Sequence, residues 1–229
     1  MRFLITNDDG VQAPGIAALA EAASRLGDVV VVAPEDQRSE CGHSTTTRDP
    51  IRVVRLDTAR FAIHGTPADC VRLALLSLDL GEFDYVLSGV NAGGNLGVDR
   101  FMSGTVAAAR EATLLGKKAM AFSHYLIRDR DVDWSGVTNW TEEVLRQLLE
   151  KDLKSGHLWN VNFPHLSSYE QMPEVIDCAP SNLPLSVQFE EGPEGYTYNG
   201  RYSERPREEG SDVAECFGGK IALSELAIG

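Results

Sequence analysis

Apolar and polar positions follow two distinct periods along the first half of the chain. Arg2–Thr6 and Val29–Ala33 are short continuous apolar runs, the pattern of strands buried on both faces, whereas Ile16, Leu19, Ala20 and Ala23 recur at helical spacing up to Gly27. A polar loop and an extended segment over 51–56 come next. Thr66-Pro67-Ala68-Asp69 then supplies an N-cap, a proline for the first turn and an acid near the positive end of the helix dipole; Val71, Leu75 and Leu78 form that helix's inner face. Asp84–Ser88 reads as a strand, Ser103–Gly116 as a helix and Met120–Ser123 as a further strand. Strands separated by helices imply right-handed crossovers, hence an α/β fold with a doubly wound, mainly parallel sheet. Its ligand crevice should lie beyond the carboxyl ends of the strands, so every polar strand-to-helix loop is a candidate site.

The second half is less regular. Trp140–Leu149 has a helical pattern and Leu158–Phe163 that of a strand, but from Pro164 onward Pro, Gly, Glu and Ser break the apolar pattern into short extended segments. Tyr196-Thr197-Tyr198-Asn199-Gly200 reads as a hairpin arm and its turn. An arm with so few core residues needs something to pack against, and a second subunit supplies it most cheaply. The division expected is a catalytic core over 1–125, followed by a C-terminal helix, arm and closing strand over 126–229 that complete one domain and form the subunit interface.

Composition narrows the partners. A chain of 229 residues with 43% hydrophobic content can bury a full core. With 34 acidic against 21 basic side chains it carries a formal charge of −13, which disfavours gripping a long nucleic acid. The charge is uneven: residues 1–125 hold 15 acidic and 12 basic side chains, residues 126–229 hold 19 and 9. The half expected to be catalytic is therefore nearly balanced, and a small phosphoanion is compatible with it. Cys41, Cys70, Cys178 and Cys216 lie far apart without metal-ligand spacing, which fits reduced thiols in a cytoplasm. No signal peptide or membrane-spanning run is expected.

The strongest local signal is Asn7-Asp8-Asp9-Gly10 after the first strand. Neighbouring strand residues point to opposite faces, so two adjacent carboxylates share one ion only where the chain has left the strand, and Asn7 and Gly10 provide that turn. Oxygen-only ligands favour Mg²⁺, Mn²⁺ or Ca²⁺ over zinc. Alone, such a pair is more often a solvated Asp-Gly turn; three further loops change the balance. Glu35 to Thr47, after the second strand, is dense in hydroxyls and contains His43, which could donate to a phosphate or move a proton. Ser88 to Gly97 is glycine-rich and offers Asn91 and Asn95 as neutral ligands, without matching a dinucleotide fingerprint or a P-loop. Ser103-Gly104-Thr105 places hydroxyls and free amides at a helix start, a site for an anion or a plain N-cap.

Taken in order, TNDDGVQAPGI from Thr6, VVAPEDQRSECGHS from Val31, HGTPADCVRLAL from His64, SGVNAGGNLG from Ser88 and SGTVAAAREATLLG from Ser103 resemble the SurE survival-protein family of divalent-metal-dependent nucleotidases. The resemblance implies a Rossmann-like α/β core with a β-rich C-terminal extension that interlocks subunits into homodimers or homotetramers. It implies hydrolysis of nucleoside 5′- and 3′-monophosphates, with broader phosphomonoesterase or exopolyphosphatase activity. The implied ligands of one divalent metal ion per subunit, Mg²⁺ or Mn²⁺, are Asp8, Asp9, Ser39 and Asn91, with Asp8 and Asp9 also catalytic. Asn95, Ser103, Gly104 and Thr105 match the phosphate site, which His43 could also serve. Two departures stand out: Glu40 replaces a small residue beside Ser39, and Cys178–Glu191 lacks the family's basic stretch, with likeness returning at Gly210–Val213.

Two other classes compete. A receiver-like Mg²⁺-binding signalling module also sets an acidic pair after its first strand, but needs a phosphoacceptor aspartate where this chain has Ser88-Gly89. A non-catalytic, metal-stabilised oligomeric binding module would assemble with metal and release no phosphate.

Overall fold

The computed structural model describes residues 1–38, 41–185 and 187–228. In chain order the elements are β1 (Arg2–Thr6), α1 (Pro14–Ser24), β2 (Asp28–Pro34), β3 (Val53–Arg55), β4 (Arg60–Ile63), α2 (Pro67–Leu76), β5 (Tyr85–Ala92), α3 (Gly104–Leu114), β6 (Lys118–His124), α4 (Trp134–Glu150), β7 (His157–Phe163), β8 (Val175–Asp177), β9 (Phe189–Gly192), β10 (Gly195–Tyr198), α5 (Asp212–Phe217) and β11 (Ile221–Ala227). Nine strands form one sheet in the order β3-β4-β2-β1-β5-β6-β7-β11-β8. From β4 to β7 every neighbouring pair is parallel, whereas β3 runs against β4 and β11 against β7. This is the doubly wound α/β fold that the alternation predicts, extended at one edge by C-terminal strands.

The period of two along β1 explains why both sheet faces are covered. Phe3 and Ile5 join a core that includes residues of α1 and α4, while Leu4 between them joins a second core with residues of α2 and α3. A strand buried on both faces must be apolar throughout, which is why β1 shows no alternation in its sequence. The helix starts follow the capping chemistry read from the residues. Thr66 Oγ1 accepts the Asp69 amide and the Asp69 carboxylate accepts the Thr66 amide, while Ser103 Oγ accepts the Val106 amide at 3.0 Å.

Three expectations change. α4 begins at Trp134, six residues before Trp140, because Asp133 caps it by accepting the Ser135 and Gly136 amides. Its first buried residues are Gly136, Val137 and Thr138, a single apolar side chain between a glycine and a threonine, so the apolar period is weak there. The hairpin's turn falls at Pro193-Glu194, between β9 and β10, and Asn199-Gly200 follows its second strand. Every residue of β9 and β10 is exposed, including Phe189, Tyr196 and Tyr198. Finally, β5 continues four residues past Ser88 to Ala92, carrying Asn91 in the strand itself.

Candidate active site

The carboxyl ends of β1 and β5 lie side by side, with Thr6 in register with Ser88, so the loops that leave them open onto one crevice. Asn7 makes the turn after β1 by donating its Nδ2 to the Gly10 carbonyl at 2.9 Å. That turn brings the next two carboxylates to one side. Asp8, Asp9, Asn91, Gly94, Asn95, Asp99 and Ser103 line an open cavity of about 250 Å³.

The carboxylates and amides of the cleft are held by hydrogen bonds. The Thr105 hydroxyl donates to Asp8 Oδ1, and the Ala92 amide donates to Asp9 Oδ2 at 2.9 Å. Burial pushes Asp8 up to about 6, against the lowering effect of Thr105 and with the charge of Asp9 adding to the rise. Burial raises Asp9 as well, offset by the Ala92 amide. Asn91 turns its Nδ2 onto the Gly93 carbonyl at 2.7 Å, which leaves its Oδ1 as a free acceptor among the described residues. Gly104 must be glycine: a Cβ there would stand 2.9 Å from both Cβ and Oδ2 of Asp8 and 3.0 Å from Cys41 Sγ. The start of α3 thus presses directly on the first carboxylate.

Asn95 is clamped by a buried polar network that sequence reasoning missed. Its amide donates to Asn162 Oδ1 at 2.8 Å, its Nδ2 to Ser123 Oγ at 2.7 Å, and its carbonyl accepts from Asn160 at 3.0 Å and Asn162 at 3.3 Å. Asn160 and Asn162 share a face of β7 at i, i+2 spacing, and two amides on one face of a buried strand were the available signal. The other missed group holds the glycine-rich loop from below. The Asp99 carboxylate accepts from Arg205 at 2.5 Å and from the Tyr202 hydroxyl at 2.7 Å, and Asp212 accepts the Gly97 amide at 2.7 Å and the Ser181 amide at 2.8 Å.

The hydroxyl-rich loop divides. Its near end reaches the site, since the Arg38 amide donates to the Asp8 carbonyl at 2.7 Å. Ser39 and Glu40 lie outside the described residues. Its far end ties to α2 instead, with Thr46 donating its amide and hydroxyl to Asp69 and the Ser44 carbonyl accepting from Thr66. His43 sits with Nε2 2.7 Å from Glu111, which also pairs with Arg72; it is not among the residues lining the cleft.

The electrostatics of the cleft decide what it can hold. Among the described residues its lining contains three carboxylates and no lysine or arginine, and only Asp99 of the three is in an ion pair. A buried carboxylate beside a half-buried one, with a neutral amide oxygen and a helix start, makes a set of oxygen donors that fits a hard divalent cation. The cation would also relieve the cost of burying Asp8 beside Asp9.

Fold and cleft together define a doubly wound α/β protein with an acidic crevice at the carboxyl ends of its two central strands. The family model for Survival protein SurE matches residues 3–180, and the chain belongs to the SurE family. A Synechocystis protein is 48% identical over 228 residues, covering 100% of both chains. The 5′-nucleotidase SurE of Paramagnetospirillum magneticum is 39% identical over 232 residues, covering 99% of this chain and 89% of that one. The crystal structure of the SurE protein from Aquifex aeolicus superposes with a TM-score of 0.89 at 33% identity, covering 100% of this chain and 94% of that chain.

Proposed function

We propose that this chain is a divalent-metal-dependent nucleotidase that hydrolyses nucleoside 5′-monophosphates, and 3′-monophosphates, to nucleoside and phosphate. The observation that carries the reading is the acidic, cation-free lining of a cleft that ends at a helix start. A phosphate dianion is drawn to the amides of that helix start but repelled by Asp8 and Asp9, and a bound cation resolves the conflict. Asp8, Asp9 and Asn91 would hold Mg²⁺ or Mn²⁺, together with Ser39. When bound, the ion neutralises phosphoryl charge and lowers the pKa of a coordinated water.

The remaining work falls to the chain's own groups. Ser103 Oγ already accepts the Val106 amide and the Thr105 amide faces the Asp8 carboxylate, so the amide of Gly104 is the donor that remains at the first turn of α3 for a phosphate oxygen. Asn95, immobilised by Asn160, Asn162 and Ser123, presents its side chain to the same anion. Asp8 or Asp9 orients the attacking water and takes its proton. Uncatalysed phosphate-monoester hydrolysis is so slow that accelerations reach ~10²¹-fold, so positioning and charge neutralisation must act together.

The nucleotidase name of full-length relatives supports the substrate class. The exposed aromatic hairpin supports a homo-oligomer, a dimer or tetramer. Free cysteines fit a cytoplasmic location, and among the described residues no helix is long and apolar enough to cross a membrane. Phosphate release from AMP, 3′-AMP, p-nitrophenyl phosphate and polyphosphate, with Mn²⁺ or Mg²⁺ and with EDTA, tests the reading. Metal-dependent release from nucleoside monophosphates that EDTA abolishes is expected. Chelator-resistant release overturns the metal assignment, and no release from any nucleoside monophosphate overturns the substrate class.

A further inference from the structure

A cavity of about 460 Å³ lies along the side of α3, outside the acidic cleft. Val106 and Arg110, one turn apart on the same side of that helix, line it from one direction, and Leu158 and Leu226, in register across β7 and β11, line it from the sheet. Leu158 and Leu226 belong to the core that α2 and α3 cover, and Ile228 continues the apolar wall. One turn of chain separates this cavity from the cleft. Asp99 and Met102 line the cleft, whereas Arg100 and Phe101 between them line the cavity.

Two guanidiniums enter these apolar walls with no carboxylate to neutralise them. Arg100 and Arg110 are both half-buried, and among the described residues neither is in an ion pair, although the chain as a whole carries −13. Neutral acceptors hold them in place: Arg100 donates to the Gly97 carbonyl at 2.5 Å and to Asn182 Oδ1 at 2.9 Å, and Arg110 donates to the Arg100 carbonyl at 2.9 Å. Those bonds leave N–H groups of each guanidinium unused. Burial pushes both below the ordinary arginine range; the charge of Arg100 lowers Arg110 further, and that of Asp212 works the other way on Arg100. The carboxylate that does line the cavity, Glu225, is paired with Lys154 at 3.1 Å. An anion between the two arginines would relieve their repulsion and restore the contacts that burial removed. The rest of the wall sets the body of that anion. It is mainly aliphatic, its one aromatic ring, Phe101, lies under the Arg100 guanidinium at 4.3 Å, and its volume falls in the range of ~300 to ~1,000 Å³ that encloses small organic ligands. We propose that this cavity binds an organic anion with an aliphatic body, a medium-chain carboxylate being the simplest, with its head group on Arg100 and Arg110 and its chain against Leu158, Leu226 and Ile228. The site is independent of the nucleotidase reading.

Isothermal titration of octanoate into the full chain, with Mn²⁺ present, reads the site. One octanoate per chain is expected, with acetate, which has the head group and no aliphatic body, binding at least about tenfold more weakly. Two variants leave the acidic cleft intact. Arg110→Gln removes one charge and keeps a donor for the Arg100 carbonyl, and Ala227→Trp fills the cavity from an exposed position on its rim while keeping both charges. Each weakens octanoate about tenfold or more, whereas Lys118→Gln, which removes an exposed cation away from the cavity, leaves the affinity within about twofold. Ala227→Trp carries the test by itself if Arg110→Gln does not fold. No octanoate binding to wild type, equal binding of acetate, or unchanged octanoate affinity in the folded variants overturns the site. Octanoate binding that saturating AMP abolishes places the anion in the acidic cleft and overturns it as well.

Discussion

The loops that leave β1 and β5 and the stretch over 199–212 meet at the same cleft but are built in opposite ways. The first set owes its position to the sheet: Asp8 and Asp9 follow a strand buried on both faces, and Asn91 lies at the end of its neighbour. The second contains almost no regular structure and is fixed by buried charge. Arg205 has a side chain only 3% exposed and closes on Asp99, while Asp212 accepts two backbone amides. Chemistry and support are thus separated along the chain. The carboxylates proposed to touch the reaction lie in the first hundred residues, and the groups that keep the glycine-rich loop in place arrive a hundred residues later. Changing the first set should cost rate, and changing the second should cost stability.

Arg205→Leu probes that division hardest. Removing the guanidinium strands Asp99 in a buried site with only the Tyr202 hydroxyl and the Leu96 amide for company, which costs about 3–5 kcal/mol of unfolding free energy in urea titrations. A loss below about 1 kcal/mol would show that the clamp is decorative and would break the comparison.

His124 sharpens it on the other side of the sheet, where partners from the second half again enclose a group of the first. Its Nε2 lies 3.0 Å from the Tyr169 hydroxyl, the His165 ring stands 5.5 Å away and the Trp134 ring 6.2 Å away. Burial, with the charge of His165 second, pushes His124 down to about 4. The unfolded chain therefore binds this proton from about pH 6.5 downward while the native state refuses it until about pH 4. Stability from the neutral imidazole is complete above pH 6.5 and falls by about 3 kcal/mol as pH drops to 4. Asp8, raised to about 6, contributes the opposite slope, so the wild type alone does not isolate the effect. The difference between wild type and His124→Gln does: the variant gains on wild type progressively from pH 6.5 to 4.5. A pH-independent difference contradicts the buried neutral histidine.

What was legible in the residues follows the same divide. The acidic turn, the glycine-rich loop and the helix start at Ser103 announce themselves locally, because each is a short run with its own turn or cap chemistry. Thr66 caps its helix as its position suggests, and Asp69, read as an acid near the helix dipole, also closes a capping box with it. Arg205 and Asp99 are 106 residues apart, and nothing local marks either as half of a buried ion pair. Asn160 and Asn162 sit inside a strand whose apolar residues were sufficient to identify it, so their clamp on Asn95 shows only when β7 is laid in the sheet. His43 illustrates the reverse error of locality. Its neighbours in sequence are rich in hydroxyls, but its partner in space is Glu111 on α3.

The central claim is that Asp8 and Asp9 hold a divalent cation on which hydrolysis depends. Isothermal titration of Mn²⁺ into wild type and Asp9→Asn, with AMP hydrolysis measured on the same samples, tests it most directly. Asparagine keeps an acceptor for the Ala92 amide, so the variant should unfold within about 1 kcal/mol of wild type. The account predicts one Mn²⁺ per subunit in wild type, and in Asp9→Asn binding weakened together with a loss of activity on the order of 10²-fold or more. Full metal binding and full activity in a folded Asp9→Asn protein would contradict it.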